Sequence, residues 1–321
     1  MVGVPASAVI GIDLGGTKIS CGLVDAEGRV SFRMTEPTPA VDGAATVIAS
    51  CGRLAERVIA RARDAGHSVS RIGVGVAGVI DSRSGTVVSA TDSISGWTGT
   101  AIRHELHGRL GLDVSVLNDV HAHALGESWV GAGRGHATVL LVTVGTGIGG
   151  AYLSDGRVHG GANGLAGHLG HIPSPEASGL LCSCGRYGHL EAVASGPGLH
   201  SGYLRLGGDP ALSNARAVAD LVREHPEDDR AALGREAISR SAIALGRGLG
   251  GLINAFDPHA VIVGGGLAQA GDLWWETTLQ AAADETLLPI DRYVVTLAEL
   301  GQDSAIIGAA RYAGMEEMSG T

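Results

Sequence analysis

Hydrophobic and polar positions along this chain switch repeatedly between two periods. A short apolar run from Ala8 to Asp13 opens onto Leu-Gly-Gly-Thr-Lys and a second run from Ser20 to Val24, which reads as a strand, a glycine turn and a return strand closed by a turn at Asp25 to Arg29. From Ala44 to Arg63 the period changes: Val47, Ile48, Cys51, Leu54, Ala55, Val58 and Ile59 recur as one face of a helix. A strand over Ile72–Val76 follows and ends at Ala77-Gly78. A second helix, near Gly99–Leu110, carries Ile102, Leu106 and Leu110 and leads to a strand over Val114–Leu117 that ends at Asn118-Asp119. Strands alternating with helices predict an α/β fold with a mostly parallel sheet.

The pattern then restarts. Thr138–Val144 is again an apolar run ending in a glycine turn, Gly145-Thr146-Gly147-Ile148-Gly149-Gly150, followed by a return strand and a turn at Asp155–Arg157. Thr143 takes the place of Asp13 and Arg157 that of Arg29, which predicts an internal duplication. Two such halves meeting at a cleft, each with a glycine turn at the carboxyl end of a strand, place ligands in that cleft. A long helix near Ala231–Phe256 has Ile238, Leu245, Leu249, Leu252 and Phe256 on its apolar side, and it feeds a strand over Ala260–Val263 and a third turn, Gly264-Gly265-Gly266. Between Gly160 and Gly188 there is little periodicity, and loops of that length are uncommon unless they carry function.

Composition narrows the class. The 321 residues suffice for one large or two ordinary domains, and 45% hydrophobic with 17% charged residues is globular. Glycine is the outlier, at 52 residues against only 3% aromatics, which suits close backbone approach to a nucleotide better than an aromatic carbohydrate-binding sandwich. A formal charge of −10 gives no footprint for a nucleic-acid backbone, so no nucleic-acid partner is expected. No apolar run is long enough to span a membrane and no secretory signal opens the chain, so the expected location is cytoplasmic. Of the four cysteines, Cys21 and Cys51 read as small buried apolar residues, whereas Cys182 and Cys184, in a glycine-rich loop, suit a metal better than a disulfide.

Backbone N–H groups in side-chain-free turns can approach phosphates closely. Gly15, Gly16, Thr17 and Lys18 form one candidate cradle, Gly145, Thr146, Gly147 and Gly149 a second, and Gly264, Gly265 and Gly266 a third contact for a nucleotide. Neither a Walker A motif nor a dinucleotide GxGxxG is present. Asp13, beside the first cradle, is a candidate for Mg²⁺ held through water. Asp119, at a strand end, is placed to accept a hydroxyl proton, and it could equally cap the helix that starts there.

These residues resemble a known family. Asp13-Leu-Gly-Gly-Thr-Lys18, Asn118-Asp119, Gly145-Thr-Gly-Ile-Gly-Gly150, Gly167-His-Leu-Gly-His171 and Cys182-Ser-Cys-Gly-Arg-Tyr-Gly-His-Leu-Glu191 occur in the order seen in the ROK family of sugar kinases, repressors and open reading frames. The resemblance covers essentially the whole chain. It implies an actin-like ATPase (ribonuclease H-like) duplicated fold, with two domains around a central cleft that holds ATP, and transfer of the γ-phosphoryl group to a hexose 6-hydroxyl. Residues 1–118 would form the N-terminal α/β domain, with a C-terminal helix about 303–321 packing back on it. Residues 119–302 would form a larger C-terminal α/β domain bearing a sugar and zinc loop at 160–191.

The resemblance also implies roles. Asp119 would be the catalytic base, and Asn118, Asp119, His171 and Glu191 the hexose ligands. His171, Cys182, Cys184 and His189 would hold a structural Zn²⁺, although His189 stands where the family pattern Cys-x-Cys-Gly-x-x-Gly-Cys-x-Glu has a third cysteine. The imidazole keeps the donor count at four, and Cys₂His₂ is a well-populated zinc set. His171 would turn its other ring nitrogen toward the sugar. His168 departs from the Gly-Glu-x-Gly-His form of the family's glucokinases and resembles the form of bacterial N-acetylmannosamine kinases. A histidine N–H can bind the carbonyl of an N-acetyl group, which a carboxylate would repel. The expected activity is therefore ATP-dependent phosphorylation of N-acetyl-D-mannosamine, with glucose as the alternative and a non-catalytic sugar sensor as a more distant one. The segment Thr91 to Thr98 is a further candidate for sugar contacts. With twelve residues ahead of Asp13, no helix-turn-helix domain is expected, and the family suggests a homodimer or higher homo-oligomer. Acetate kinases and chaperone ATPases share the glycine-rich fold but lack the cysteine block and the Asn-Asp pair as arranged here.

Overall fold

The computed structural model describes residues 8–90 and 93–319, with no side-chain description for 316–319. The first half runs β1 (Ala8–Leu14), β2 (Lys18–Val24), β3 (Val30–Pro37), α1 (Ala44–Asp64), β4 (Val69–Val76), β5 (Val79–Asp81), β6 (Thr86–Ser89), α2 (Ile102–Leu110), β7 (Asp113–Asn118) and α3 (Asp119–Val130). The second runs β8 (Thr138–Val144), β9 (Ile148–Ser154), β10 (Arg157–Val158), α4 (Glu191–Ala194), α5 (Gly196–Arg205), α6 (Ala215–Glu224), α7 (Asp229–Phe256), β11 (Ala260–Gly264), α8 (Asp272–Ala283), β12 (Val294–Leu297) and α9 (Ser304–Ser319).

The two main sheets have the same order, β3-β2-β1-β4-β7 and β10-β9-β8-β11-β12. β1 and β8 are both seven residues long, as are β2 and β9, so the repeat inferred from Asp13 and Thr143 is a repeat of strands and of sheet position. In both sheets the inner strands are parallel and each turn-linked edge is antiparallel. The predicted strands and helices all form, with bounds shifted by a few residues. β3, the β5–β6 hairpin, α5, α6, α8 and β12 add to them.

Packing divides the chain into two units. Unit 1 comprises the residues up to Ala137 with Leu153–Ala166 and the segment from Glu299 onward; unit 2 comprises Thr138–Tyr152 and Gly167–Ala298. The division thus falls at Ala137, not at 118, because α3 packs on α9 in unit 1, and the stretch 160–191 is split after Ala166. Within unit 1, α1 buries Val47, Cys51, Leu54, Val58 and Ala62 in one core with Ile10, Ile12, Ile72 and Val74 of the sheet. In unit 2 the α7 residues Ile238, Leu245 and Leu249 pack with Leu140, Val142 and Val144 of β8. Phe256 is part-exposed instead and stacks on Tyr152, with ring centroids 5.0 Å apart.

Five of the glycines, Gly11, Gly22, Gly73, Gly126 and Gly308, lie where α9 packs. Gly22, Gly11 and Gly73 are register partners across β2, β1 and β4. A Cβ on Gly11 would stand 2.0 Å from the Ile306 carbonyl oxygen, and one on Gly73 1.8 Å from that of Ala309. On the same helix, a Cβ on Gly308 would meet the Ala122 carbonyl oxygen of α3 at 1.7 Å, and one on Gly126 the Ser304 oxygen at 2.2 Å. Helix backbone therefore rests directly on sheet and on helix, with no side chain between. Glu127, fully buried at the end of α3, accepts hydrogen bonds from the N–H groups of Ala132, Glu299 and Leu300, which ties the approach to α9 onto α3.

Candidate functional site

The strand–helix junction between β7 and α3 is built from a cap. Asn118 Oδ1 accepts the N–H groups of Val120 (2.9 Å) and His121 (3.2 Å), and its amide donates to the Gly78 carbonyl at 3.0 Å. The capping role thus belongs to Asn118. Asp119 is the first helical residue, and its Oδ1 also accepts the Val120 N–H at 2.9 Å. Helix N-terminus and strand end together hold its carboxylate at the top of the first sheet.

Asp13, near the end of β1, sits beside Asp119. Burial, reinforced by Asp119, pushes its carboxyl above the ordinary carboxylate range, while His123 and Lys18 pull the other way. A carboxyl whose folded value is raised supports folding at pH below its unfolded value, and that support is lost as pH rises through the folded value. Asp13→Asn is accordingly expected to melt at a higher temperature than wild type at pH 8, with the difference narrowing toward pH 4. Thermal scans of the two proteins across that range check it, and a lower melting temperature for the variant at pH 8 would contradict the burial argument.

The first glycine turn is closed by Gly15 N–H donating to Lys18 O at 3.0 Å and is buttressed by the Thr38 hydroxyl on Gly15 O at 2.7 Å. Gly16 lies against Ser93, 3.3 Å from where its Cβ would stand. Thr91 and Asp92 lie outside the described residues. Trp97, from the same candidate segment, is buried with its indole N–H on Ala77 O at 3.1 Å, so it serves packing and not a ligand.

In unit 2 the second turn is closed one residue tighter, Gly145 N–H to Gly147 O at 2.9 Å, and Gly196 at the start of α5 donates to Gly145 O at 2.8 Å. The third turn comes alongside: Gly265 takes φ +90° with its Cβ position 2.3 Å from Val144 O, and Gly266 N lies 4.0 Å from the Cβ position of Gly145. Gly145, Thr146 and Gly266 line a cavity of about 850 Å³ whose other walls include His200, Asn214, Arg216 and Gln269. Those four escape sequence reading because nothing in their local pattern separates them from ordinary helix-end and loop residues.

The aperiodic loop gathers its donors. Ligand atoms of His171, Cys182, Cys184 and His189 all lie within 4.8 Å of one another, with His171 Nδ1 to Cys182 Sγ at 3.5 Å and His189 Nδ1 to Cys184 Sγ at 3.2 Å. Tetrahedral zinc at ordinary Zn–S and Zn–N lengths needs ligand separations of about 3.3–3.8 Å, so the four side chains fit the ion with small adjustments. Burial lowers the His171 imidazole below its usual range and raises the Cys182 thiol. His168 is exposed, with its ring 6.2 Å from that of His171 at 24°. Elemental analysis of purified protein is expected to find about one zinc per chain. Cys182→Ala is expected to lose it, and zinc-free active wild-type protein would exclude the site. Glu191, at the start of α4, directs one carboxylate oxygen to the Ile148 N–H at 2.9 Å and the other to the Ser183 hydroxyl. Of the hexose candidates, Asn118 and Asp119 belong to unit 1 and His168, His171 and Glu191 to unit 2.

A family model described as the ROK family matches residues 9–315. The glucokinase of Thermotoga maritima is 35% identical over 320 residues, covering 95% of this chain and 97% of that protein. Among solved structures, a ROK hexokinase from Thermus thermophilus superposes with TM-score 0.82 at 33% identity, over 97% of this chain and 99% of that one. A ROK family glucokinase from Streptomyces griseus, in complex with glucose and AMPPNP, superposes with TM-score 0.78 at 31% identity, over 96% of this chain and 100% of that one. Among the described residues no helix is long and apolar enough to cross a membrane.

Proposed function

The chain belongs to the ROK family, whose kinases have the actin-like ATPase fold, and on that premise we propose that it is an ATP-dependent hexose 6-kinase. The observation that carries the proposal is Asp119, a carboxylate held at a strand–helix junction by the Val120 N–H, next to Asn118, which takes over the capping work. Phosphoryl transfer needs little covalent help beyond a positioned base and a clamp for the phosphates. In this reading Asp119 accepts the proton of the 6-hydroxyl as its oxygen attacks the γ-phosphorus of ATP, and ADP leaves. The turns at Gly15–Thr17 and Gly145–Gly149 offer backbone donors to the phosphates, and the cavity beside Gly145 and Gly266 receives the nucleoside. Mg²⁺, with Asp13 reaching it through water, would neutralise charge on the phosphates. Zn²⁺ in a closed four-ligand set has no open position, so His171, Cys182, Cys184 and His189 would shape the sugar loop and perform no chemistry.

Two readings of the sugar have support. The Gly167-His168-Leu-Gly-His171 form supports N-acetyl-D-mannosamine, because an imidazole, unlike a carboxylate, can donate to an N-acetyl carbonyl. The glucokinase relatives favour glucose. A kinase assay across N-acetylmannosamine, glucose, N-acetylglucosamine and mannose with one batch of enzyme decides between them. If His168 sets the specificity, the highest kcat/KM is expected with N-acetylmannosamine. A clear preference for glucose would discard that argument while leaving the kinase reading in place, and absence of ADP release with all four would overturn the latter.

A further inference from the structure

Glu191 touches two loops at once. Its Oε2 accepts the N–H of Ile148, the first residue of β9 after the glycine turn, at 2.9 Å, and its Oε1 accepts the hydroxyl of Ser183, the residue between the two loop cysteines. Room for this bridge has been cleared on both sides. A Cβ on Gly147 would lie 2.7 Å from Oε2, and one on Gly170 would lie 2.5 Å from Ile148 O and 3.2 Å from the Glu191 Cβ. The other end of the same turn is held by Gly196 on Gly145 O, so the Glu191–Ile148 bond is a further anchor on a turn that lines the cavity.

The carboxylate itself needs an orienting partner. Cys182 Sγ also lies 3.9 Å from Oε1, but with a metal on the four-residue set this sulfur would be a thiolate and would donate nothing. Ser183 then supplies the hydroxyl that fixes the rotamer, using one lone pair of Oε1 and leaving another for a sugar hydroxyl. We propose that Ser183 is a positioning residue: through Glu191 it ties the chelate loop to the second glycine turn and so sets nucleotide affinity. This rests on the reading of that turn as a phosphate contact in a kinase.

The test measures nucleotide binding directly, with no sugar present. Protein as purified is titrated calorimetrically with a non-hydrolysable ATP analogue, and its metal content is measured alongside. Ser183 is exposed, so Ser183→Ala is not expected to disturb folding. The variant should bind the analogue about 3- to 10-fold more weakly while keeping the wild-type zinc content, the effect of losing one charge-assisted hydrogen bond at a distance. Ser183→Thr, which retains the hydroxyl, should restore affinity, an outcome that a merely bulky or loose loop would not give. In turnover the loss should appear in KM for ATP more than in kcat. Affinity of Ser183→Ala equal to wild type would overturn the proposal, as would a loss of affinity that tracks loss of zinc. A wild-type protein that bound no nucleotide would overturn the kinase reading and this inference with it.

Discussion

Asp119→Asn is expected to fold normally, bind ATP with near wild-type affinity and lose about 10²–10⁴ in kcat. One carboxylate at this junction could cap the helix, accept the proton, or do both. Capping of α3 rests on Asn118, whose Oδ1 receives both the Val120 and His121 N–H groups, and an asparagine at 119 still offers an Oδ1 to Val120. Stability is therefore conserved to within the small cost of one shared bond. Basicity is not conserved, because an amide cannot accept the hydroxyl proton during attack. Removing the neighbouring carboxylate should also ease the strain on Asp13, whose carboxyl is raised in part by Asp119. Coupled ADP-release kinetics together with a thermal scan make the check: a variant with wild-type kcat would remove Asp119 from the chemistry, and one that fails to fold would show that the cap needs it.

Gly308→Ala is expected to be among the most damaging single methyl groups that the described residues could receive. At 1.7 Å from the Ala122 carbonyl oxygen, the new Cβ meets backbone that belongs to α3, and no rotamer can relieve it. The helices must separate, which also lifts α9 from Gly11 and Gly73 of the sheet and pulls on the Glu127 tether. Overpacking a dense core commonly costs about 1–3 kcal/mol and can exceed that where backbone is the obstacle. Denaturant unfolding of the variant should show a loss at or above the top of that range. Gly66→Ala is the matched comparison, since its Cβ would meet nothing within 4 Å and only its φ of +84° opposes the change. Equal midpoints for wild type and Gly308→Ala would refute the close-approach account.

Much of the fold is legible from local pattern. Seven apolar-rich residues, a glycine turn and seven more occur twice, and the repeat of strands follows because period and turn chemistry are local properties. β3 was available in the same way, through the alternation of Val30, Phe32 and Met34, but an edge strand with a polar outer face carries a weaker signal than its buried neighbours. The four-residue metal set is legible through residue types, since soft and imidazole donors rarely crowd one loop without cause. His200, Asn214, Arg216 and Gln269 around the cavity are not, because what distinguishes them is only where the chain brings them.

Sequence by itself determined the family, the duplicated strand pattern, the glycine turns and the chemical candidates, all of which depend on residue identity and short-range spacing. Tertiary structure decided what identity leaves open. It moved the capping role from Asp119 to Asn118, tied Glu191 to Ile148 and Ser183, and brought the Gly145 and Gly266 turns to one cavity. It also gave Gly11, Gly73, Gly126 and Gly308 a packing role, where α9 lies bare against β1, β4 and α3. A missing side chain reads the same in sequence whether it admits a phosphate or a helix, and only the distance to the neighbouring backbone tells the two apart.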